Sequence, residues 1–208
     1  MYKRFIRAIM PVLVCAITSV ANAAPFIIHE TGVETKVTPG PGTKLTPNNN
    51  LAASRVADPN WTVTASPIGP FTPVTAAQTF PVGGGTWVAD APLTARWIGS
   101  NVNGGTSVAA PPGNYTFQTT FNLTNFLPGT ATINGSWAVD NLAQMFLNGV
   151  AVANITDPAS FGSLAAFNIP VGSNFITGLN TLTVVVTNTA AIDNPMGLLV
   201  VLSGDATQ

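Results

Sequence analysis

Polar and apolar residues alternate along much of the chain after Trp61, as they do in half-buried β-strands. From Tyr115 to Leu123 every second residue is apolar or threonine, and the residues between them are polar. We expect the first set to face a core and the second to face water. Similar patterns predict further strands over residues 61–65, 94–100, 130–140, 142–147, 150–155, 163–170, 178–189 and 197–205.

Turn signals separate these strands. Asn148-Gly149 lies between two apolar runs and is the strongest signal, because both positions of a tight hairpin turn need positive φ. No long segment combines a helical repeat with helix formers and caps. The sequence therefore predicts an all-β protein, with a single antiparallel β-sandwich or jelly roll over residues 58–208.

The N-terminal residues predict export. Residues 1–23 combine a basic start, a short apolar run and an Ala-Asn-Ala exit, so we expect a Sec signal peptide cleaved after Ala23. The sole cysteine, Cys15, lies inside this segment, which leaves the mature chain without a thiol for a disulfide, a metal or a nucleophile. Residues 24–57 are rich in Pro, Gly, Thr and Asn and predict an irregular arm that adds one strand at most. We expect a secreted protein, extracellular or periplasmic.

Low charge narrows the choice of partners. Charged residues are 7% of the chain, far below the roughly 25% of ordinary soluble domains. Removal of the signal segment leaves four basic against eight acidic residues, a net charge near −4. This balance argues against nucleic acid and against a membrane surface as partners, and after signal cleavage we expect no membrane insertion. A surface of hydroxyls and amides fits a neutral glycan or another surface protein, and it also fits plain solubility outside the cell.

Several stretches carry a family resemblance. The stretches WAVDNLAQMFLNG (residues 137–149) and FNIPVGSNFITGLNTLTVVVTN (residues 167–188) resemble galactose-binding-like jelly rolls, which are ancillary domains of bacterial β-galactosidases and other glycoside hydrolases. The motifs DPNW, ARWIG, YTFQTTFNL and NPMGLLV resemble single-domain secreted bacterial proteins that often carry PEP-CTERM sorting tails. This chain ends LSGDATQ, without such a tail, so free secretion is expected. The resemblance implies the fold and leaves the function open.

The residue inventory argues against an enzyme. The one histidine, His29, lies in the predicted arm, so a Ser–His–Asp triad would need it brought into the domain. Both glutamates, Glu30 and Glu34, lie in the same arm. The aspartates mostly occupy turn contexts, where backbone hydrogen bonding explains them without an acid pair for glycoside hydrolysis.

Four residues are candidates for contact with a ligand: Trp87, Arg96, Asp140 and Asn141. Trp87 follows a glycine-rich loop, and an exposed indole can stack on a sugar ring; the alternative is that it covers one end of the sandwich. Asp140 with Asn141 is either a ligand-facing polar pair at a loop end or a corner that satisfies turn amides. Arg96 would pair with an aspartate or donate to the ligand.

A structural calcium ion is the one cofactor that the resemblance implies. Galactose-binding-like domains often hold Ca²⁺ between an early loop and the last strand, and Asp58, Asp193 and Asp205 lie in oxygen-rich stretches here. Turn capping by the same carboxylates is the alternative.

Two functions remain after these exclusions. The first is a secreted, non-catalytic binding module for carbohydrate or exopolysaccharide. The second is a structural or adhesive extracellular protein that acts through protein–protein contacts.

Overall fold

The computed structural model describes residues 22–31, 57–67, 75–80, 87–89, 95–99, 109–189 and 191–208. The strands are β1 (Ala23–Phe26), β2 (Ala57–Ala65), β3 (Thr75–Phe80), β4 (Trp97–Gly99), β5 (Ala109–Ala110), β6 (Gly113–Asn122), β7 (Thr132–Asp140), β8 (Leu142–Leu147), β9 (Val150–Ile155), β10 (Ala165–Ile169), β11 (Leu179–Asn188), β12 (Asn194–Pro195) and β13 (Gly197–Thr207). Two short 3-10 turns, Pro128–Thr130 and Ser160–Gly162, are the only helical elements in this part of the chain. None of its helices is long and apolar enough to cross a bilayer.

The strands pair antiparallel in one continuous ladder that folds over on itself. Its order is β10-β7-β13-β4-β3-β2-β6-β11-β8-β9, with β1 also paired to β13, and β5 with β12 forms a separate short ribbon. Across the interior β7 contacts β11 and β10 contacts β9, so the two halves of the ladder lie face to face. From β6 onward the chain passes repeatedly between the halves, as in a jelly roll. The predicted all-β jelly-roll sandwich is confirmed.

The main core fills the space between the two layers. The predicted inward set of β6 is confirmed, because Tyr115 and Phe117 are fully buried whereas Asn122 is exposed. Trp61 and Trp137 place two further large rings in this core. Because the chain has a single cysteine and therefore no internal disulfide, burial of this apolar surface, at about 25 cal/mol per Å², is the main stabilising term.

A second apolar cluster covers the outer face of the layer that contains β7, β13 and β4. We call it the outer cluster; it comprises Ala95, Trp97, Ala138 and Leu199, with Trp87, Val88, Phe161, Leu164 and Val201 packed on it. Ala138 lies between the core residues Trp137 and Val139, and all three are buried. Strand alternation predicts one buried face, but β7 is buried on both because other segments lie over it.

Asparagines tie the end of the sandwich at the β8–β9 turn. Asn148 and Gly149 have φ values of 49° and 84°, which confirms the predicted hairpin turn. The buried Asn180 side chain bonds the N–H and C=O of Ile176 at 2.9 and 2.8 Å and the C=O of Gly178 at 2.9 Å. It also accepts a hydrogen bond from Asn148 at 2.8 Å. Its polar groups are thus paired, which holds the loop before β11 in place.

The described N-terminal residues, 22–31, pack against the sandwich. β1 pairs with the last residues of β13, and the Phe26 ring stacks on Phe121 with centroids 5.1 Å apart. Thr31 donates its N–H to the carbonyl of Val200 at 3.1 Å. β1 therefore lies at the start of the predicted arm over residues 24–57, while the predicted domain boundary at residue 58 stays a prediction. Residues 1–21, most of the predicted signal peptide, and residues 32–56 of the arm lie outside the described residues.

Candidate functional site

Three of the four candidate ligand residues meet at one corner of the sandwich. β7 ends at Asp140, Asn141 forms the bend, and β8 begins at Leu142. Trp87 reaches the same place from a separate segment, and its side chain is hydrogen-bonded to the Asp140 carboxylate. Since an indole carries only an N–H donor, Trp87 donates and Asp140 accepts. We call the set of Trp87, Asp140 and Asn141 the corner site.

Asn141 fixes the bend from several directions. Its Oδ1 accepts hydrogen bonds from the N–H and the hydroxyl of Thr189 at 3.0 and 3.1 Å. Its Nδ2 donates to a carboxylate oxygen of Asp140, and its carbonyl accepts from the Ser160 hydroxyl at 3.0 Å. The Asp140–Asn141 peptide bond is cis. The end of β11 and the 3-10 turn at Ser160 therefore hold the bend together.

Asp140 lies beneath the surface, with 5% of its area exposed. It belongs to the outer face of β7, opposite Gly197 of β13. Burial raises its pKa from 3.8 to about 6, and the hydrogen bond from Trp87 offsets part of that rise. The sequence left two roles open, a ligand-facing carboxylate or an acceptor for turn amides. In the structure this carboxylate accepts hydrogen bonds from an indole and a side-chain amide under the surface, and its role toward a ligand stays a prediction.

Trp87 is half-buried and lies flat against the outer cluster. Its ring packs on Trp97, with centroids 4.4 Å apart and planes inclined by 44°, and on Phe161 at 6.4 Å. A Cβ atom at Gly197 would come within 2.9 Å of the Trp87 ring, so only glycine allows the indole to lie so close to β13. The Trp97 indole donates to the carbonyl of Val88 at 2.8 Å, which anchors the segment that carries Trp87. One face of Trp87 thus covers the outer cluster, as the alternative reading expects, and the side chain as a whole is partly exposed.

Arg96 lies next to this arrangement. It immediately precedes Trp97, and its backbone N–H donates to the carbonyl of Thr31 at 2.8 Å. Ala95 and Trp97, on either side of it, both belong to the outer cluster, so alternation directs the Arg96 side chain away from that face.

The three aspartates considered for calcium are not brought together. Asp58 is buried, and its Oδ1 accepts from the N–H groups of Asn60 and Trp61 at 2.8 and 3.0 Å, which is turn capping. Asp193 precedes β12, whereas Asp205 lies near the other end of β13. Asp205 comes eight residues after Gly197 along β13, a span of about 26 Å. Within the described ranges no group of three His, Cys, Asp or Glu residues could hold a metal ion, so these residues do not fit a shared calcium site.

Sequence reasoning missed several residues that build the corner. Ser160 and Phe161 lie in a 3-10 turn, and Thr189 follows the end of β11. Phe161 carried the clearest signal, since it is a large apolar residue within the polar stretch TDPASFGS. Gly197 carried none, because its role depends on an indole that arrives from a distant segment.

The fold and the corner define a jelly-roll β-sandwich domain with an aromatic–carboxylate–amide cluster at one bend. No protein-family model and no curated protein matches the chain.

Three solved structures are similar at low identity. A family 35 carbohydrate binding module from Clostridium thermocellum has 11% identity and a TM-score of 0.36, over 62% of this chain and 86% of that one. The CBM36-1 domain of a multidomain xylanase from the hindgut metagenome of Trinervitermes trinervoides has 16% identity and a TM-score of 0.34, over 71% and 96%. CBM35 from Paenibacillus barcinonensis has 17% identity and a TM-score of 0.35, over 70% and 94%. At these identities and scores, the three modules assign no ligand to this chain.

Proposed function

We propose that this protein is a secreted, non-catalytic module that binds a neutral carbohydrate at the surface around the corner site. The single observation that supports the proposal is convergence. Asp140 and Asn141 are neighbours in one bend, and Trp87 comes from a distant segment of the chain. Each of the three is a candidate ligand residue on chemical grounds, and the fold brings Trp87 next to the other two.

The proposed contact uses the exposed part of the Trp87 indole. Aromatic rings bind the apolar faces of sugars, and a ring that is already held in place loses little conformational entropy on binding. The polar rim comes from Asn141, which is partly exposed, and from the exposed Thr189. Asp140 supports the ring from below and does not itself reach the ligand. The low charge of the mature chain favours a neutral glycan over an acidic one, since its net charge of about −4 repels polyanions.

Affinity electrophoresis of the mature chain through gels that contain neutral or acidic polysaccharides tests this proposal. We expect retardation in at least one neutral gel and none in the acidic gels. Trp87→Ala should lose the retardation while keeping a folded far-UV spectrum. Phe146→Ala is the matched aromatic control, because Phe146 is half-buried on β8, in the opposite half of the ladder from β7. Equal retardation of the two variants would falsify the role of the corner site.

The alternative, an adhesive or structural protein, is favoured by one specific observation at the opposite end of β8. Exposed apolar side chains cluster near the β8–β9 turn: Val150, Val171, Ile176 and Leu179 are 49–62% exposed. Asn148 of that turn bonds the carbonyl of Asn174, which places the turn beside the loop before β11. Contiguous exposed apolar surface marks interaction sites. If this end mediates self-association, the mature chain should elute as a dimer or larger species, and Leu179→Lys should make it a monomer.

A further inference from the structure

The Trp87 indole is held at the corner from three sides. Its ring lies 4.4 Å from that of Trp97, its edge approaches the backbone at Gly197, and its N–H is donated to Asp140. The first two contacts restrict how far the ring can tilt, and the third fixes which way its N–H points. A hydrogen bond to an ionised carboxylate is stronger than one to a neutral acceptor, so the charge on Asp140 decides the strength of the third contact.

The described elements that pack against Asp140 supply no cation to stabilise its charge. These elements are residues 87–89, 156–164, 187–189 and 191–197, and they contain no Lys, Arg or His. Their ionisable groups are Asp157 and Asp193, both exposed, and the Asp157 carboxylate accepts the N–H of Ala159 at 2.9 Å. Arg96 is directed to the other side of its strand. Burial therefore dominates and raises the pKa of Asp140 to about 6, within the range that acidification outside a cell reaches.

We propose that Asp140 is a positioning residue for Trp87 and that proton uptake by its carboxylate loosens the indole, so that the surface presented to a ligand changes as the medium is acidified. In the ionised state the carboxylate accepts hydrogen bonds from the indole of Trp87 and from the side-chain amide of Asn141. When a proton from solvent binds, one oxygen becomes an O–H donor and the charge is lost. The indole then keeps only a weaker bond, and the part of its surface that is already exposed gains mobility.

Tryptophan fluorescence tests the positioning role without any ligand. Three of the four tryptophans, Trp61, Trp97 and Trp137, are at most 1% exposed, so Trp87 is the indole that solvent reaches. The emission of the wild-type chain minus that of Trp87→Phe, recorded from pH 4.5 to 8, should show one transition centred near pH 6. Asp140→Asn should abolish it, because the amide keeps the shape of the side chain and cannot ionise.

A second variant separates this transition from the titration of the histidine. His29 offers its backbone carbonyl to the indole N–H of Trp61 at 3.0 Å, so its ionisation is able to alter emission. His29→Gln should leave the transition of the Trp87 difference signal in place. A difference signal that is flat with pH, or one that His29→Gln removes, overturns the assignment to Asp140.

The ligand-dependent half of the inference rests on the proposed function. Retardation of the wild-type chain in a neutral polysaccharide gel should weaken on the order of threefold to tenfold between pH 7.5 and 5, as the charge-assisted bond is lost. Asp140→Asn should bind independently of pH. Binding that is equally strong at both pH values overturns the switch. Absence of binding at every pH would refute the proposed function, and the fluorescence titration would still decide whether Asp140 positions Trp87.

Discussion

Asp140→Asn should change the free energy of unfolding more favourably at neutral pH than at acid pH, relative to the wild type. The carboxyl is buried, and its pKa rises from 3.8 to about 6 on folding. That rise of about 2 units corresponds to at most about 3 kcal/mol between its two protonation states. Because the neighbouring Asn141 is partly exposed, solvent screening reduces the expected effect to about 1–2 kcal/mol.

The sign follows from proton binding. Because the folded-state pKa of Asp140 is higher than the unfolded one, the native state binds more protons than the unfolded state between about pH 4 and pH 6. The stability that protonated Asp140 contributes is complete below the unfolded pKa and is lost as pH rises through about 6. The variant carries no such group, so the unfolding free energy of the variant minus that of the wild type should increase by about 1–2 kcal/mol from pH 4 to pH 8.

Urea unfolding of both proteins at five pH values, followed by far-UV circular dichroism, measures this difference. A constant effect of the substitution on packing cancels, since only the change with pH matters. His29 also titrates here, and burial lowers its pKa, but it is present in both proteins and cancels too. A difference that stays level with pH, or that falls, would show that Asp140 is ionised in the native state without cost and would refute the account of burial.

Three further substitutions test the fold. Phe26→Ala should lower the free energy of unfolding by about 3–5 kcal/mol in urea titrations, because it empties the site where β1 stacks on Phe121. Asn180→Ala should cost about 2–4 kcal/mol by the same measurement, since it leaves buried backbone groups unpaired, whereas the exposed Gln144→Ala should stay within about 0.5 kcal/mol. Gly149→Ala meets no atom within 4 Å, so its loss of about 1–2 kcal/mol in thermal unfolding would measure the backbone strain at φ 84° alone.

Alternation predicted the strands well where one face meets the core and the other meets water. The sequence-based bounds of β8 and β9 coincide with the observed ones, and the two-residue turn between them has the expected positive φ values. β3 was missed, because its sequence TAAQTF contains little apolar contrast between alternate positions. The sequence predicts at most one strand in the arm and does not give its position, since the four residues of β1 are too few to show a period.

The corner site was predicted in part, and the missing part has a physical cause. Residue type and sequence context identify Trp87 and Asp140 as candidate ligand residues. Neither context shows that the indole N–H points to the carboxylate. That pairing depends on the outer face of β7, where Ala138 and Asp140 alternate with core residues. A period of two identifies such positions as outward-facing, and it carries no information about whether a distant loop lies over them.

The residues that cover that outer face explain why a buried carboxylate with a raised pKa occurs at this bend. Over most of the sandwich, outward side chains meet water, and a carboxylate there would keep its ordinary pKa and hold nothing in place. At the corner, Trp87, Trp97 and Phe161 form a partial third layer on the sheet, so the carboxylate at the end of β7 is desolvated. The third layer needs Gly197 beneath it, because any larger residue would lift the indole off the strand and let water in. Gly197, which has no side chain, admits the ring, and Asp140, to which the described neighbouring elements offer no cation, orients it.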